Sequence, residues 1–338
     1  MVQNNGDSSP PRMPPKLVPI SEFTVAWVCA LPIELAAATE IMDEIFMTHP
    51  SDPWEKNIYT FGRIGPHNVV VLCLPACQTG TNLAATVVEE MTSKFRSLRF
   101  GVLVGIGGGV PNLDREIDIR LGDVVVSQPD GAHGGVVQYD MGKTMPDGYN
   151  THTGSLNAPP LVLLSALAKL RANDFGGRTS IRTHLQNLPS EFASPDPESD
   201  VLWLASSAHV GDSTCAKCHP DDQIRRVPRQ TADPVLFYGN IASGNQVMRD
   251  GVARDRHSQA LGGVLCFEME AAGLMNSFPC LVFRGICDYA DAHNNKLWQP
   301  YAAATAAATA KELLYTIPGN PPLPTIPDCK RISNSFNP

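Results

Sequence analysis

The chain has 338 residues, 43% of them apolar and 18% charged, with 26 Lys plus Arg against 34 Asp plus Glu for a net charge of −8. That length buries a sizeable core without disulfides or a structural metal, and fits one large α/β domain or about two smaller ones. The acidic balance argues against nucleic-acid backbones and anionic membrane surfaces as main partners, and no apolar run approaches the ~20 residues of a membrane helix.

Residues 1–20 carry five prolines and no periodicity, and are expected to be a disordered tail rather than a signal peptide. Residues 23–30 (FTVAWVCA) read as a buried strand, after which Pro32 opens a helix over about 33–46. Strands are expected at 57–64 and 68–74 around the Gly65-Pro66 turn, then a helix over 79–95. A short strand at 101–104 runs into Gly105-Ile106-Gly107-Gly108-Gly109, and 123–127 (DVVVS) is a further strand. Residues 159–173 have helical spacing, whereas 185–233 are polar and proline-rich and read as an insertion or flap. Strands at 235–243, 264–268 and 281–286 then alternate with helices at 246–260 and 271–278, and an alanine-rich helix covers 297–315. Residues 317–338 are expected to be a second disordered tail. This alternation predicts a layered α/β domain over 21–316, its sheet covered on both faces.

Several motifs can be weighed directly. A dinucleotide fingerprint starting at Gly105 needs glycine at 110, where Val110 stands, and the segment carries no P-loop Lys-Ser/Thr pair. Its glycines fit either a tight turn or a close approach of backbone to ligand. Cys215-Ala-Lys-Cys218-His219 is half of a zinc pattern whose second ligand pair is missing at the usual spacing, so a thiol-containing loop is expected and no metal site. The nine cysteines form no disulfide framework and fit a reducing compartment, the cytosol. Trp298 and the alanines after it read as packing. Glu34, Glu268 with Glu270, and Asp288 stand at the ends of three apolar strands, where open α/β sheets bind ligands. Each alone fits a helix cap or a surface acid equally well.

Five segments in order carry a resemblance: 25–34 (VAWVCALPIE), 101–110 (GVLVGIGGGV), 121–127 (LGDVVVS), 241–246 (IASGNQ) with 267–272 (FEMEAA), and 282–291 (VFRGICDYAD). Together they resemble the nucleoside phosphorylase/nucleosidase family, which includes methylthioadenosine/S-adenosylhomocysteine nucleosidases and purine and uridine phosphorylases. The chain looks most like the nucleosidase-type domain common in fungi and often fused to receptor-like modules. Lacking those modules, it is expected to be free-standing.

The resemblance implies a three-layer α/β/α fold with a central mixed sheet. It implies that Glu270 holds the ribose 2′ and 3′ hydroxyls, that Met269 packs on the sugar, and that Asp288 donates a proton toward purine N7. Gly107 and Gly108 would line the site. Phosphorylases of the family carry a Gly-Asp-Pro…Arg motif after the first strand; here the stretch is Ala30-Leu-Pro-Ile-Glu34, without arginine. The resemblance gives Glu34 the activation of water and Arg284 a water or sugar contact, hence hydrolysis of purine nucleosides to base and ribose. A phosphorylase and a nucleoside-binding signalling module are the alternatives. Two departures bear on the base: Ile106 replaces a serine frequent in nucleosidases, and Val247 stands where an aromatic often stacks. No metal or organic cofactor is implied, and the expected partners are a purine nucleoside, water and a second copy in a dimer or larger assembly.

Overall fold

Side chains alternate between two faces along a strand, and in the central strands this alternation builds the layers. The computed structural model describes residues 16–49, 54–144, 150–211, 214–293 and 296–319. The chain opens with β1 (Val25–Cys29), α1 (Pro32–Glu40), β2 (Glu44–Ile45), β3 (Tyr59–Ile64), β4 (His67–Cys73), α2 (Thr81–Lys94) and β5 (Phe100–Gly109). The middle holds β6 (Val124–Ser127), β7 (Val136–Gln138), β8 (Gly142–Thr144), β9 (Asn150–His152), α3 (Leu161–Phe175) and α4 (Ile181–Gln186). It ends with β10 (Leu236–Gly239), β11 (Ile241–Ser243), α5 (Gly251–Ala260), β12 (Cys266–Glu268), α6 (Ala271–Leu274), β13 (Cys280–Asp288) and α7 (Gln299–Thr316).

Eleven strands make one mixed sheet, with the continuous order β10-β6-β13-β5-β1-β4-β3-β2; β12 pairs with β5, and β11 joins β12 to β7. The inner four, β13, β5, β1 and β4, are parallel. Val25, Trp27 and Cys29 of β1 enter one core with α1, α3, α4 and α7, while Ala26 and Val28 enter the other with α2 and α6. The three-layer mixed-sheet expectation is met.

The alanine-rich segment is packing, as expected: α7 is buried from Tyr301 to Leu314. Small side chains let it lie close on the sheet. A Cβ on Gly285 of β13 would stand 1.8 Å from the Ala302 carbonyl oxygen of α7.

Several boundaries differ from the sequence reading. The helix expected to reach residue 46 stops at Glu40, because the buried Lys311 amine donates to the Ile41 carbonyl (2.7 Å) and pairs with Asp43 (2.7 Å), freeing Glu44–Ile45 to pair with β3. The helix expected from 246 starts at Gly251, where the Asp250 side chain caps the Val252 and Ala253 amides at 2.9 and 3.0 Å. The single strand expected over 235–243 is two, β10 on β6 and β11 on β7 and β12. The helix expected over 271–278 ends at Leu274. The short strands β7, β8 and β9 were not anticipated.

Residues 16–20, assigned to the first tail, are docked: Val18 is buried and Met47 N–H donates to the Lys16 carbonyl. The rest of that tail and residues 320–338 lie outside the described residues. Among the described residues the segment 185–233 has, beyond the end of α4, short 3-10 turns and an isolated bridge between Trp203 and Gln223, yet it is anchored by arginines. Arg229 grips the buried Asp123 with two bonds (2.5 and 2.6 Å), and Arg226 pairs with Asp200 at 2.9 Å.

Gly285→Ala is expected to destabilise the fold by at least about 2 kcal/mol, since the added methyl meets backbone that cannot rotate away. The urea midpoint of the variant measures it, and an unchanged midpoint would contradict the packing described.

Candidate active site

Parallel strands gather ligand-binding groups at their carboxyl ends, and here β1, β5 and β13 end together. Leaving β1, the chain turns at Leu31 and starts α1 with Pro32 at its first position. Glu34, buried in that first turn, folds back: its Oε2 accepts the amides of Ala30 (2.7 Å) and Leu31 (2.9 Å), and its Oε1 accepts that of Ile106 (2.8 Å). Burial raises its carboxyl above the ordinary range despite Arg284 and these amides.

Arg284, 1% exposed, projects from β13 into a ring of carboxylates. Its Nη2 bonds Glu268 and Glu270 (3.2 Å to the latter), its Nη1 donates to the Ile106 carbonyl (3.3 Å), and the same nitrogen lies 4.0 Å from Glu34 Oε1. Burial would lower its pKa, but Glu268, Glu270 and Glu34 outweigh burial and hold the guanidinium above its usual value. Glu268 also accepts the amides of Glu270 (3.1 Å) and Ala271 (3.0 Å), capping α6. Glu270 is pushed up to about 7 by burial first and then by Glu268 and Glu34, with Arg284 opposing.

Asp288 ends β13 just after a register shift against β5, where Ile286 faces Gly107 and Asp288 faces Gly108, leaving Cys287 as the extra residue. A bulge of this kind re-aims the side chain that follows it. Asp288 Oδ1 accepts the amide of Ala290 (2.8 Å), which sits at φ 51, and Cys287 Sγ donates to Oδ2 (3.2 Å). Burial raises the Asp288 carboxyl above its ordinary value.

The glycine segment is not a turn; all of it belongs to β5, flanked by β13 and β12. A Cβ on Gly105 would meet Glu34 Oε1 at 2.4 Å and Arg284 Nη1 at 2.5 Å. On Gly108 it would meet Asp288 Oδ1 at 2.7 Å, and on Gly107 the Phe267 carbonyl at 2.9 Å. Close approach, here to the protein's own charged groups, is what these glycines permit.

No protein-family model matches the chain. It is 45% identical over 321 residues to a nucleotide-binding leucine-rich repeat (NLR)-like protein of Hyaloscypha variabilis, covering 94% of this chain and 31% of that protein's length. It is 24% identical over 310 residues to a 5′-methylthioadenosine/S-adenosylhomocysteine nucleosidase of Mycobacterium bovis, covering 87% of this chain and 97% of that one. Among solved structures, the nucleosidase of that name from Neisseria meningitidis, in complex with methylthio-immucillin-A, matches with a TM-score of 0.57 at 16% identity, over 87% of this chain and 99% of that one. The fold is that of the nucleoside phosphorylase/nucleosidase family.

On this nucleosidase-type fold two cavities meet at Cys287 and Asp288. One, of about 250 Å³, is lined by Glu34, Ile106, Gly107, Gly108, Met269 and Glu270 with Glu268 and Arg284 behind. The other, of about 540 Å³, is lined by Trp203, Cys215, Tyr289, Asp291 and His293, so the 185–233 segment forms its wall. All eight site residues named from the sequence line the smaller cavity. Val247 stands at its lip, 60% exposed, so it offers the interior little surface. Glu268, noted beside Glu270 at a strand end, was given no role in the sequence reading. Its signal was the spacing Glu268-x-Glu270 at a strand end, which brings two acids to one cation. Among the described residues no helix is long and apolar enough to cross a membrane.

A carboxyl held above its unfolded value stabilises the fold fully below that value and stops doing so as pH rises through the folded one. For Glu270 that loss occurs up to about 7. Glu270→Gln, which cannot ionise, is therefore expected to gain in thermal midpoint relative to wild type between about pH 5 and pH 8. A pH-independent difference would show that Glu270 ionises without penalty.

Proposed function

We propose that the protein is a purine nucleosidase, hydrolysing the N-glycosidic bond of purine nucleosides to free base and ribose. The observation that carries this is the unequal charge around the smaller cavity. Among the described residues lining it, Glu34, Glu268 and Glu270 face one cation, Arg284, and Asp288 adds no charge while protonated. Such a surface repels a phosphate dianion and favours a sugar acquiring positive charge.

The attacking water has one well-defined seat in this reading. A carboxylate oxygen has two lone pairs. Oε2 of Glu34 uses both on Ala30 and Leu31, whereas Oε1 gives one to Ile106. The remaining Oε1 lone pair accepts one water proton, and the 4.0 Å between Oε1 and Arg284 Nη1 suits a bridging water. Glu34 takes the proton as the water oxygen bonds to C1′. The C1′–N9 pair leaves with the purine, and the protonated Asp288 donates to N7. Desolvation of Asp288 supports this role, since an ordinary aspartate near 3.9 would hold no proton at neutral pH. Glu270 accepts the ribose hydroxyls beside Met269, and the purine lies past Asp288 toward the larger cavity.

The similarity to an NLR-like protein supports a second reading, a nucleoside-recognising module of a larger protein. Binding without turnover would favour it.

Cleavage is expected without phosphate, yielding ribose and no ribose 1-phosphate by chromatography. Glu34→Gln and Asp288→Asn are each expected to lower kcat at least about a hundredfold, and a substrate whose base leaves without protonation should rescue only Asp288→Asn. Phosphate-dependent product would replace hydrolysis with phosphorolysis. In a separate comparison, Glu270→Gln is expected to lower kcat/KM for ribonucleosides more than about tenfold beyond its effect on 2′-deoxyribonucleosides, because an amide donates where a carboxylate accepted. Equal losses would remove Glu270 from the ribose.

A further inference from the structure

The larger cavity carries a cluster that the nucleosidase chemistry does not use. Cys215 opens a 3-10 turn, Cys215–Lys217, closed by the Cys218 amide donating to the Cys215 carbonyl at 3.0 Å. Residues three apart eclipse on a 3-10 turn, so both sulfurs come to one side. The third group comes from six residues upstream: the donor atoms of His209, Cys215 and Cys218 all lie within 4.8 Å of one another. The sequence reading sought ligands downstream and did not count His209. His219, adjacent in sequence, is turned away, its side chain 69% exposed and 3.6 Å from Asp221.

An independent observation points to the same place. His293, five residues past Asp288, has a side chain only 3% exposed, and neither ring nitrogen has a hydrogen-bond partner among the described residues, Nδ1 lying 3.8 Å from Asp291 Oδ1, beyond hydrogen-bond reach. Its ring stacks on Trp203 at 4.6 Å and stands edge to face with His209 at 5.6 Å. A buried imidazole left unsatisfied costs free energy unless something binds it. Val210 N–H, meanwhile, donates to Cys218 Sγ at 3.5 Å, as amides do to metal-bound thiolates.

We propose that His209, Cys215 and Cys218 bind a zinc ion, with His293 as the fourth donor. Two thiolates neutralise the dication, and two imidazoles complete the Cys2His2 set that closed, tetrahedral zinc sites use. With Zn–S near 2.3 Å and Zn–N near 2.0–2.1 Å, tetrahedral donors are about 3.3–3.8 Å apart, so the donors of His209, Cys215 and Cys218, all within 4.8 Å of one another, need to close by at most about 1.5 Å. The ion fastens the irregular 185–233 segment to the loop that leaves Asp288. Its role is structural, and the site does not rest on the nucleosidase reading.

Protein purified without chelator is expected to carry about one zinc per chain by inductively coupled plasma mass spectrometry. Cys218→Ser and His209→Ala should lose it and Asp288→Asn should keep it. Exchange of zinc for cobalt(II) is expected to give thiolate-to-cobalt charge-transfer absorption and the intense visible bands of tetrahedral cobalt. If the substituted chains fail to fold, the wild-type cobalt spectrum still decides. His293→Ala should retain the charge transfer but release cobalt to a competing chelator more readily by at least about tenfold. A wild-type chain that is free of zinc and gives no such spectrum with cobalt(II) overturns the proposal. So does a Cys215–Cys218 disulfide in protein kept reduced. Unchanged cobalt retention in His293→Ala overturns the fourth-donor assignment.

Discussion

A buried guanidinium sets the terms for the rest of this site. Arg284 sits in the middle of β13, between β5 and β6, where a strand ordinarily presents apolar side chains to both cores. Burying a charge there is unfavourable unless partners surround it, and removing one partner of such a pair typically costs roughly 3–5 kcal/mol. Glu268 and Glu270 supply that company directly, and Glu34 supplies it at longer range. Three carboxylates around one cation leave an excess of negative charge in a place that water cannot screen. Burial holds Glu34 above its ordinary value against Arg284 and the amides it accepts, whereas burial together with Glu268 and Glu34 holds Glu270 above its own.

Backbone geometry follows from that charge cluster. Glu34 Oε1 and Arg284 Nη1 would stand within 2.5 Å of any side chain at Gly105, and Asp288 Oδ1 within 2.7 Å of one at Gly108, so the neighbouring strand must be bare. A bare strand packs poorly. The flanking pairings with β13 and β12 compensate, keeping β5 regular through all ten residues. The extra residue at Cys287 then brings Asp288 to the junction of the two cavities.

Much of this was legible in the sequence because it rests on local rules. The apolar run of 23–30, proline opening α1, and acids at strand ends are all visible in the order of residues. What escaped depends on groups far away in the chain. The early end of α1 is decided by Lys311, some 270 positions later, and the glycine segment fits a turn as well as a close approach until the charges opposite it are known. Glu268 looked like one acid among several, because its importance lies in the guanidinium it faces. The irregular 185–233 segment was opaque for a related reason: Arg226 and Arg229 fix it to aspartates outside the segment or at its far end, and periodicity cannot register such bonds.

That segment and the sheet divide the two cavities between them. Trp203 and Cys215 wall the larger cavity, while β1, β5 and β13 shape the smaller one. The charged groups of the smaller cavity therefore sit on strand ends, and much of the wall of the larger cavity sits on a segment with little regular structure. Tyr289 bonds Asp200 and stacks its ring near Arg226, so the two regions meet at the residue next to Asp288. Changes in the segment can then alter the far cavity without moving the charge cluster.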